Sequence, residues 1–86
     1  MNEIETRVRA AIRDGFRQIA PEVDVDEVDP EADLREEVDL DSVDAINLMV
    51  HFHESLGVEI PESDYGKITT LDAMVGYLTG RLAGQE

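Results

Sequence analysis

Residues 39–49 read DLDSVDAINLM: acids on either side of a serine, then apolar side chains at helical spacing. This stretch decides the fold, because here a long acidic segment without period gives way to a helix. Asp41 and Ser42 are both good N-caps, each able to offer an oxygen to a backbone N–H one turn ahead. Asp44 suits the positive end of a helix. At 100° per residue, Ala45, Leu48, Met49, Phe52 and Leu56 gather on one side. They predict a helix over about 41–56 whose inner face covers a core, with Gly57 as its natural C-terminal residue. Val43 and Val50 fall nearly opposite, interleaved with Asn47 and Glu54, while Ile46 and His53 occupy a flank. A helix that only covers a core would not normally carry both valines outward. Single exposed aliphatics are ordinary, but a pair running away from Ser42 is a candidate docking stripe of Val43, Asn47, Val50 and Glu54.

Upstream, Ile4, Val8, Ile12, Phe16 and Ile19 recur at spacings of four and three, predicting an amphipathic helix over about 3–19. Gly15 weakens it slightly, and Pro21 stops it. Arg7, Arg9, Arg13 and Arg17, four of the seven basic residues, mostly fall off its apolar stripe. Between Glu22 and Asp41, eleven of twenty positions are acidic, and the aliphatics among them show no sustained period. A loop of this length in a compact domain is usually functional or disordered. Its regular supply of aliphatics argues for an ordered crossing loop pinned by Val28, Leu34 and Val38, with a helical turn around Pro30 to Leu34.

Downstream, GVEIPESDYGKI supplies two aliphatic anchors and then Pro61, which suits the start of a short helix over about 61–66. Thr69 or Thr70 caps a last helix over about 70–83, and Thr69 with Asp72 has the spacing of a capping box. Leu71, Met74, Val75, Leu78 and Leu82 form its buried stripe, Gly76 and Gly80 weaken it, and the terminal AGQE is expected to fray. The expected architecture is all-α: a single domain over 1–86, a four-helix bundle with three longer helices, a short third helix and a long ordered first loop.

Composition narrows the function. The chain of 86 residues carries a net charge of −14, from 21 acids against seven bases. That charge opposes direct nucleic-acid binding, which needs Lys and Arg on phosphates, and opposes attraction to anionic membranes. It favours encounter with basic patches on partner proteins. Without cysteine there is no disulfide, thiolate metal site or thiol nucleophile. The charged N-terminal stretch has no signal-peptide core, and no apolar run approaches the roughly 20 residues that span a bilayer. A cytoplasmic, free-standing monomer is expected, with no membrane insertion.

As a lone motif, D-S-x-D ahead of an apolar run is explained by capping. A helix N-terminus also favours phosphate, but Asp41 and Asp44 would oppose a free one. These acids suit a phosphate held by a covalent bond and presented to a basic partner. At this point the sequence resembles the acyl carrier protein family. DSVD is similar to the family's attachment motif. Leu48, Phe52 and Leu56 match its core spacing. Val28, Ala32, Leu34 and Val38 match the anchors of its first loop, and GVEIPESDYGKITTLDAMVGYL resembles its later helices. The resemblance implies an acyl-carrier-like bundle that is not an enzyme. Ser42 would carry a 4′-phosphopantetheine arm, flanked by Asp41, Val43 and Asp44 and installed from coenzyme A by a phosphopantetheinyl transferase. The arm's thiol would hold acyl groups as thioesters for loading and transfer enzymes with basic docking patches. Ile46, Met49, Ile60 and Ile68 would line a cleft for the acyl chain.

Departures from the family pattern are Val43 after the serine, Asp39 where a glycine is often found, and Asn47 and His53 at commonly acidic positions. Less acid on this helix points away from the main carrier of fatty-acid synthesis and toward one dedicated to a specialised lipid or polyketide-type pathway, while Asp41 rather than a histidine before the serine argues against a peptidyl carrier. The alternative is an acidic bundle with Ser42 unmodified, binding divalent metal or protein partners. Its calcium version is weak, because DVDEVDPEADLRE lacks the central glycine of an EF-hand. His51 and His53, two apart on a helix, face different ways and make a poor metal pair.

Overall fold

The computed structural model describes residues 3–85. Four α-helices follow in chain order: α1 (Glu3–Ile19), the single-turn α2 (Leu34–Glu37), α3 (Ser42–Leu56) and α4 (Leu71–Gln85). Two 3-10 segments, Val25–Glu27 and Glu62–Lys67, interrupt the connections. Among the described residues there is no strand, and the all-α bundle expected from the sequence is the fold observed.

One aliphatic core holds the helices together. Val8, Ile12 and Phe16 enter it from α1; Leu48, Met49, Phe52 and Leu56 from α3; Leu71, Met74, Leu78 and Leu82 from α4. Leu34 joins from α2, and Leu40, Val58 and Ile68 from the connecting segments, all buried as deeply. α1 packs against both α3 and α4. Gly15 does more than lower helix propensity. A Cβ there would stand 2.9 Å from both His51 Cδ2 and Leu48 Cδ2, so its absence allows the close crossing of α1 and α3. At the same crossing, His51 Nε2 lies 3.0 Å from the Ala11 carbonyl, to which it donates. His53 Nδ1 donates to the Val58 carbonyl at 2.9 Å, just past the helix end. Gly57, with φ of 71°, closes α3 by returning its N–H to the His53 carbonyl.

The long first loop is ordered. A turn at Pro30–Glu31 is closed by the Ala32 N–H on the Asp29 carbonyl at 3.0 Å, and the helical segments fall at Val25–Glu27 and Leu34–Glu37, each behind an aspartate. Asp24 accepts the Asp26 N–H at 3.0 Å, and Asp33 accepts the Arg35 N–H at 2.9 Å. Each side chain thereby satisfies a donor at the start of a turn. Leu34 is buried, while Val28 and Val38 are only half-buried. Backbone bonds complete the fastening: Leu34 N–H to the Thr69 carbonyl at 2.8 Å, and Asp72 N–H to the Pro30 carbonyl at 3.0 Å. These bonds also decide how α4 begins. Asp72 N–H and the Thr69 carbonyl are committed to the loop, and the cap is Thr70, whose Oγ1 accepts the Ala73 N–H at 3.0 Å. The capping box from Thr69 is therefore not used. At the other end α4 runs on through Gln85, into the stretch expected to fray; Glu86 lies outside the described residues.

Candidate functional site

The start of α3 assigns the two polar residues different work. Asp41 is extended, with φ of −86° and ψ of 179°, and its carboxylate accepts the Asp44 N–H at 2.8 Å. It is the N-cap. Ser42 becomes the first helical residue, exposed, with its hydroxyl relieved of capping. The sequence left that choice open between Asp41 and Ser42. The chain reaches this cap through Asp39, whose φ of 54° turns the backbone sharply enough to bury Leu40 beside the exposed Asp41.

Beyond Ser42 the outer face of α3 carries the exposed large hydrophobics of the described residues: Val43 at 62%, Ile46 at 48% and Val50 at 48%. Asn47 and Glu54 are exposed on the same helix, and Asp44 is half-buried. All four docking-stripe candidates therefore lie in the open, and Ile46 extends the apolar strip toward the next feature.

That feature is a cleft of about 370 Å³ opening directly beside Ser42. Its apolar surface comes from Leu34, Leu40, Ala45, Ile46 and Ile68, and Tyr65 and Gly66 form part of its wall. Of the four residues expected to line a cleft, Ile46 and Ile68 do so. Met49 is 4% exposed and belongs to the core, and Ile60 is half-buried outside the lining. Leu34, Leu40, Ala45, Tyr65 and Gly66 were not foreseen. In the sequence Leu34 stands as a loop anchor, and its burial serves both roles; nothing periodic marks Tyr65 or Gly66.

The wall from Glu62 to Lys67 is fastened to α4 through Asp64. Its carboxylate accepts the Tyr77 hydroxyl at 2.6 Å and Arg81 Nη2 at 3.1 Å, and pairs with Lys67 Nζ at 3.2 Å. Its pKa is lowered, first by the Tyr77 hydrogen bond and then by Lys67. Burial and the bond to Asp64 raise the Tyr77 phenol above its usual value. On the opposite rim, Arg35 is held by Asp33 through Nε at 3.1 Å and Nη2 at 2.8 Å, which lowers the Asp33 pKa.

Three further loop acids have partners of their own. Asp24 caps a turn, Asp29 accepts the Glu31 N–H at 2.9 Å, and Asp26 pairs with Arg13 at 2.7 Å. Among the described residues, no group of three His, Asp or Glu side chains converges to hold a metal. Likewise none of the helices is long and apolar enough to cross a membrane.

Comparison with known proteins agrees with this geometry. The family described as the phosphopantetheine attachment site matches residues 10–78. An acyl carrier protein of Rubrobacter xylanophilus is 43% identical over 56 residues, spanning 65% of this chain and 69% of that one. Similarity is longer with the acyl carrier protein of Thermosynechococcus vestitus, 30% identical over 82 residues and 95% of each chain. Acyl carrier protein 2 of Ralstonia nicotianae is 33% identical over 81 residues and 94% of each chain. Proteins of this kind are carriers and not catalysts, and their cofactor is a covalently attached 4′-phosphopantetheine. A family match over most of the chain and near full-length similarity to two such carriers lead to one conclusion: this chain belongs to the acyl carrier protein family.

Proposed function

We propose that the 4′-phosphopantetheine arm is attached through Ser42 Oγ, and that the chain shuttles acyl groups between enzymes of fatty-acid, specialised lipid or polyketide-type biosynthesis. The acyl-carrier role itself follows from family membership. The observation that carries the assignment to Ser42 is the division of labour at the start of α3. Asp41 takes the cap, and an exposed hydroxyl is left at the mouth of an apolar cleft. The residues present fit the arm. An exposed serine at a helix N-terminus places a phosphodiester against the positive end of the dipole. Asp41 and Asp44 keep a free anion from competing for the same place, and leave a negative surface for basic partners. When bound, the arm supplies a terminal thiol that holds the acyl group as a thioester. The protein's part is to present that arm, shelter its cargo and be recognised.

Recognition is assigned to Val43, Asn47, Val50 and Glu54, with Asp41, Val43 and Asp44 flanking the attachment point. The apolar part of the strip would dock on a partner's apolar surface, and the surrounding acids would steer encounter with basic residues. The partners are a phosphopantetheinyl transferase and acyl-loading and acyl-transfer enzymes. The working form is a cytoplasmic monomer whose single domain spans 1–86. Co-expression with a broad-specificity phosphopantetheinyl transferase should add the mass of one arm to the intact chain, and Ser42→Ala should abolish the addition. An unchanged wild-type mass with several such transferases, or an arm retained in Ser42→Ala, would overturn the assignment.

A further inference from the structure

We propose that the docking strip of α3 runs on to His53, whose Nε2 accepts a hydrogen bond from a basic side chain of the phosphopantetheinyl transferase, and that protonating this one imidazole turns the contact into repulsion. This rests on Ser42 as the attachment point and on the strip assigned above. It adds the chemistry that the partner brings to the far end.

At 100° per residue, Val43, Ile46, Val50 and His53 fall within about 80° of one another, so the exposed hydrophobics lead directly to the imidazole. His53 is itself exposed. It stands eleven residues beyond Ser42, roughly 16 Å along the helix axis. A contact of ordinary size covers roughly 800 Å² of each partner, a patch about 30 Å across. An enzyme that takes Ser42 into its active site and rests on the strip therefore reaches His53.

The structure decides which ring nitrogen that enzyme meets. His53 Nδ1 lies 2.9 Å from the Val58 carbonyl, which can only accept, so the hydrogen is on Nδ1. In the neutral ring Nε2 is then a bare acceptor. Among the described residues the His53 side chain makes no second hydrogen bond and no ion pair, whether with α1 or with α4. α1 meets α3 at Leu48 and His51 instead. The acids beside His53 and Val58 in the chain, Glu54 and Glu59, are both exposed. A chain of net charge −14 draws in basic surfaces, and a lysine or arginine N–H is what a bare imidazole nitrogen can take.

Protonation leaves the Val58 bond in place, because Nδ1 keeps its hydrogen, and makes Nε2 a cationic donor. The surface changes and the fold does not: an acceptor for a cation becomes a second cation beside it. Imidazoles make this change between pH 5 and 8, whereas carboxylates ordinarily titrate at lower pH. His51 is the other imidazole of the chain, but its Nε2 is taken by the Ala11 carbonyl. It lines a groove with Gln18, Ile19, Asn47, Val50 and Glu54, to which α1 brings no charged side chain.

The test measures kcat/KM of a broad-specificity phosphopantetheinyl transferase for the full apo chain at pH 7.5 and 5.5, at one ionic strength. Each value is taken as a ratio to that of His53→Gln, which is uncharged at both pH values, so the enzyme's own titration cancels. The wild-type ratio should fall about fivefold from pH 7.5 to 5.5, the effect of one like-charge contact near water. His53→Lys should lie below His53→Gln at both pH values, and His53→Glu above it at both. His51→Gln should keep the wild-type fall. Loss of the Val58 bond in the His53 variants is the same at both pH values, so a merely structural role cannot produce these ratios. A wild-type ratio that does not change with pH, or Lys and Glu variants that transfer equally well, would overturn the proposal while leaving Ser42 as the attachment point. Failure of the wild type to accept any arm would overturn both.

Discussion

Asp39 stands with φ of 54°, in the left-handed region, where a side chain costs roughly 1 kcal/mol or more. The chain needs that conformation. The turn ends α2, lets the Leu40 N–H reach back toward the Leu34 carbonyl at 3.4 Å, and delivers Leu40 to the core and Asp41 to the cap. Aspartate is among the few non-glycine residues that tolerate it, which explains how this chain departs from the family's frequent glycine without losing the turn. Asp39→Gly should relieve most of the conformational cost. Part of the gain is offset by the greater freedom of glycine in the unfolded chain. A net stabilisation of about 0.5 kcal/mol is expected, equivalent to a rise of roughly 2–4 °C in Tm. Asp39→Asn separates the two causes: it removes the charge but keeps a side chain that suits the turn. In thermal melts monitored by circular dichroism, glycine should exceed asparagine. Equal gains would mean that charge, not backbone conformation, is what the aspartate costs.

At the scale of elements, α3 has two apolar faces, and only one of them is occupied. Leu48, Met49, Phe52 and Leu56 fill the core while Val43, Ile46 and Val50 face outward. If the outward strip is covered by partner enzymes, burying Val50 contributes on the order of 1 kcal/mol, close to a factor of five. Val50→Asp should then lower kcat/KM for acyl transfer to a partner about fivefold or more, with helicity unchanged. A control acid on the exposed face of α1, Ala10→Asp, should have little effect. Transfer kinetics unaltered by Val50→Asp would remove the strip from the recognition surface. Both faces were legible in the sequence, because helical period is a local property and Gly57 and the acid at position 41 mark the ends. The turns of the acidic loop were less so, since Asp24, Asp29 and Asp33 are all competent caps and only the folded loop selects among them. The cleft lining is legible only in part for a related reason. Ile46 and Ile68 come from segments with apolar spacing, whereas Leu34, Leu40, Tyr65 and Gly66 meet there only because backbone bonds tie the loop to the start of α4. Gly15 is similar: its closeness to Leu48 and His51 exists only across the helix crossing.

For the whole molecule the governing quantity is a net charge of −14 on a body of 34 × 28 × 22 Å. Several cations are already paired: Arg9 with Glu5, Arg13 with Asp26, Arg17 with Asp14, Arg35 with Asp33, and Lys67 and Arg81 with Asp64. Most of the 21 acids are left to repel one another. At about 10 mM salt the Debye length is roughly 30 Å, so nearly every carboxylate feels every other; at about 0.1 M it is roughly 10 Å, and repulsion across the molecule is largely screened. The same salt weakens the exposed ion pairs, but each of those contributes only about 0–1 kcal/mol. Repulsion should dominate, and Tm should rise steadily as sodium chloride is increased from about 10 mM to 0.3 M at neutral pH. Acidification relieves the same repulsion by another route once carboxylates begin to protonate, so Tm should stay nearly level from pH 8 to about 6 and rise slightly as pH approaches about 4.5. Asp33 and Asp64 act with the opposite sign. Their pKa values in the folded protein are lowered from 3.8, so the stability they contribute is complete above that value and is lost as pH falls through the lower folded values. The curve of Tm against pH should therefore turn over and decline below about pH 4. Asp64→Asn should be less stable than the wild type at pH 7 and converge with it in the acid limb. A Tm that falls on adding salt would show that the paired charges, and not the unpaired excess, control the stability of this carrier.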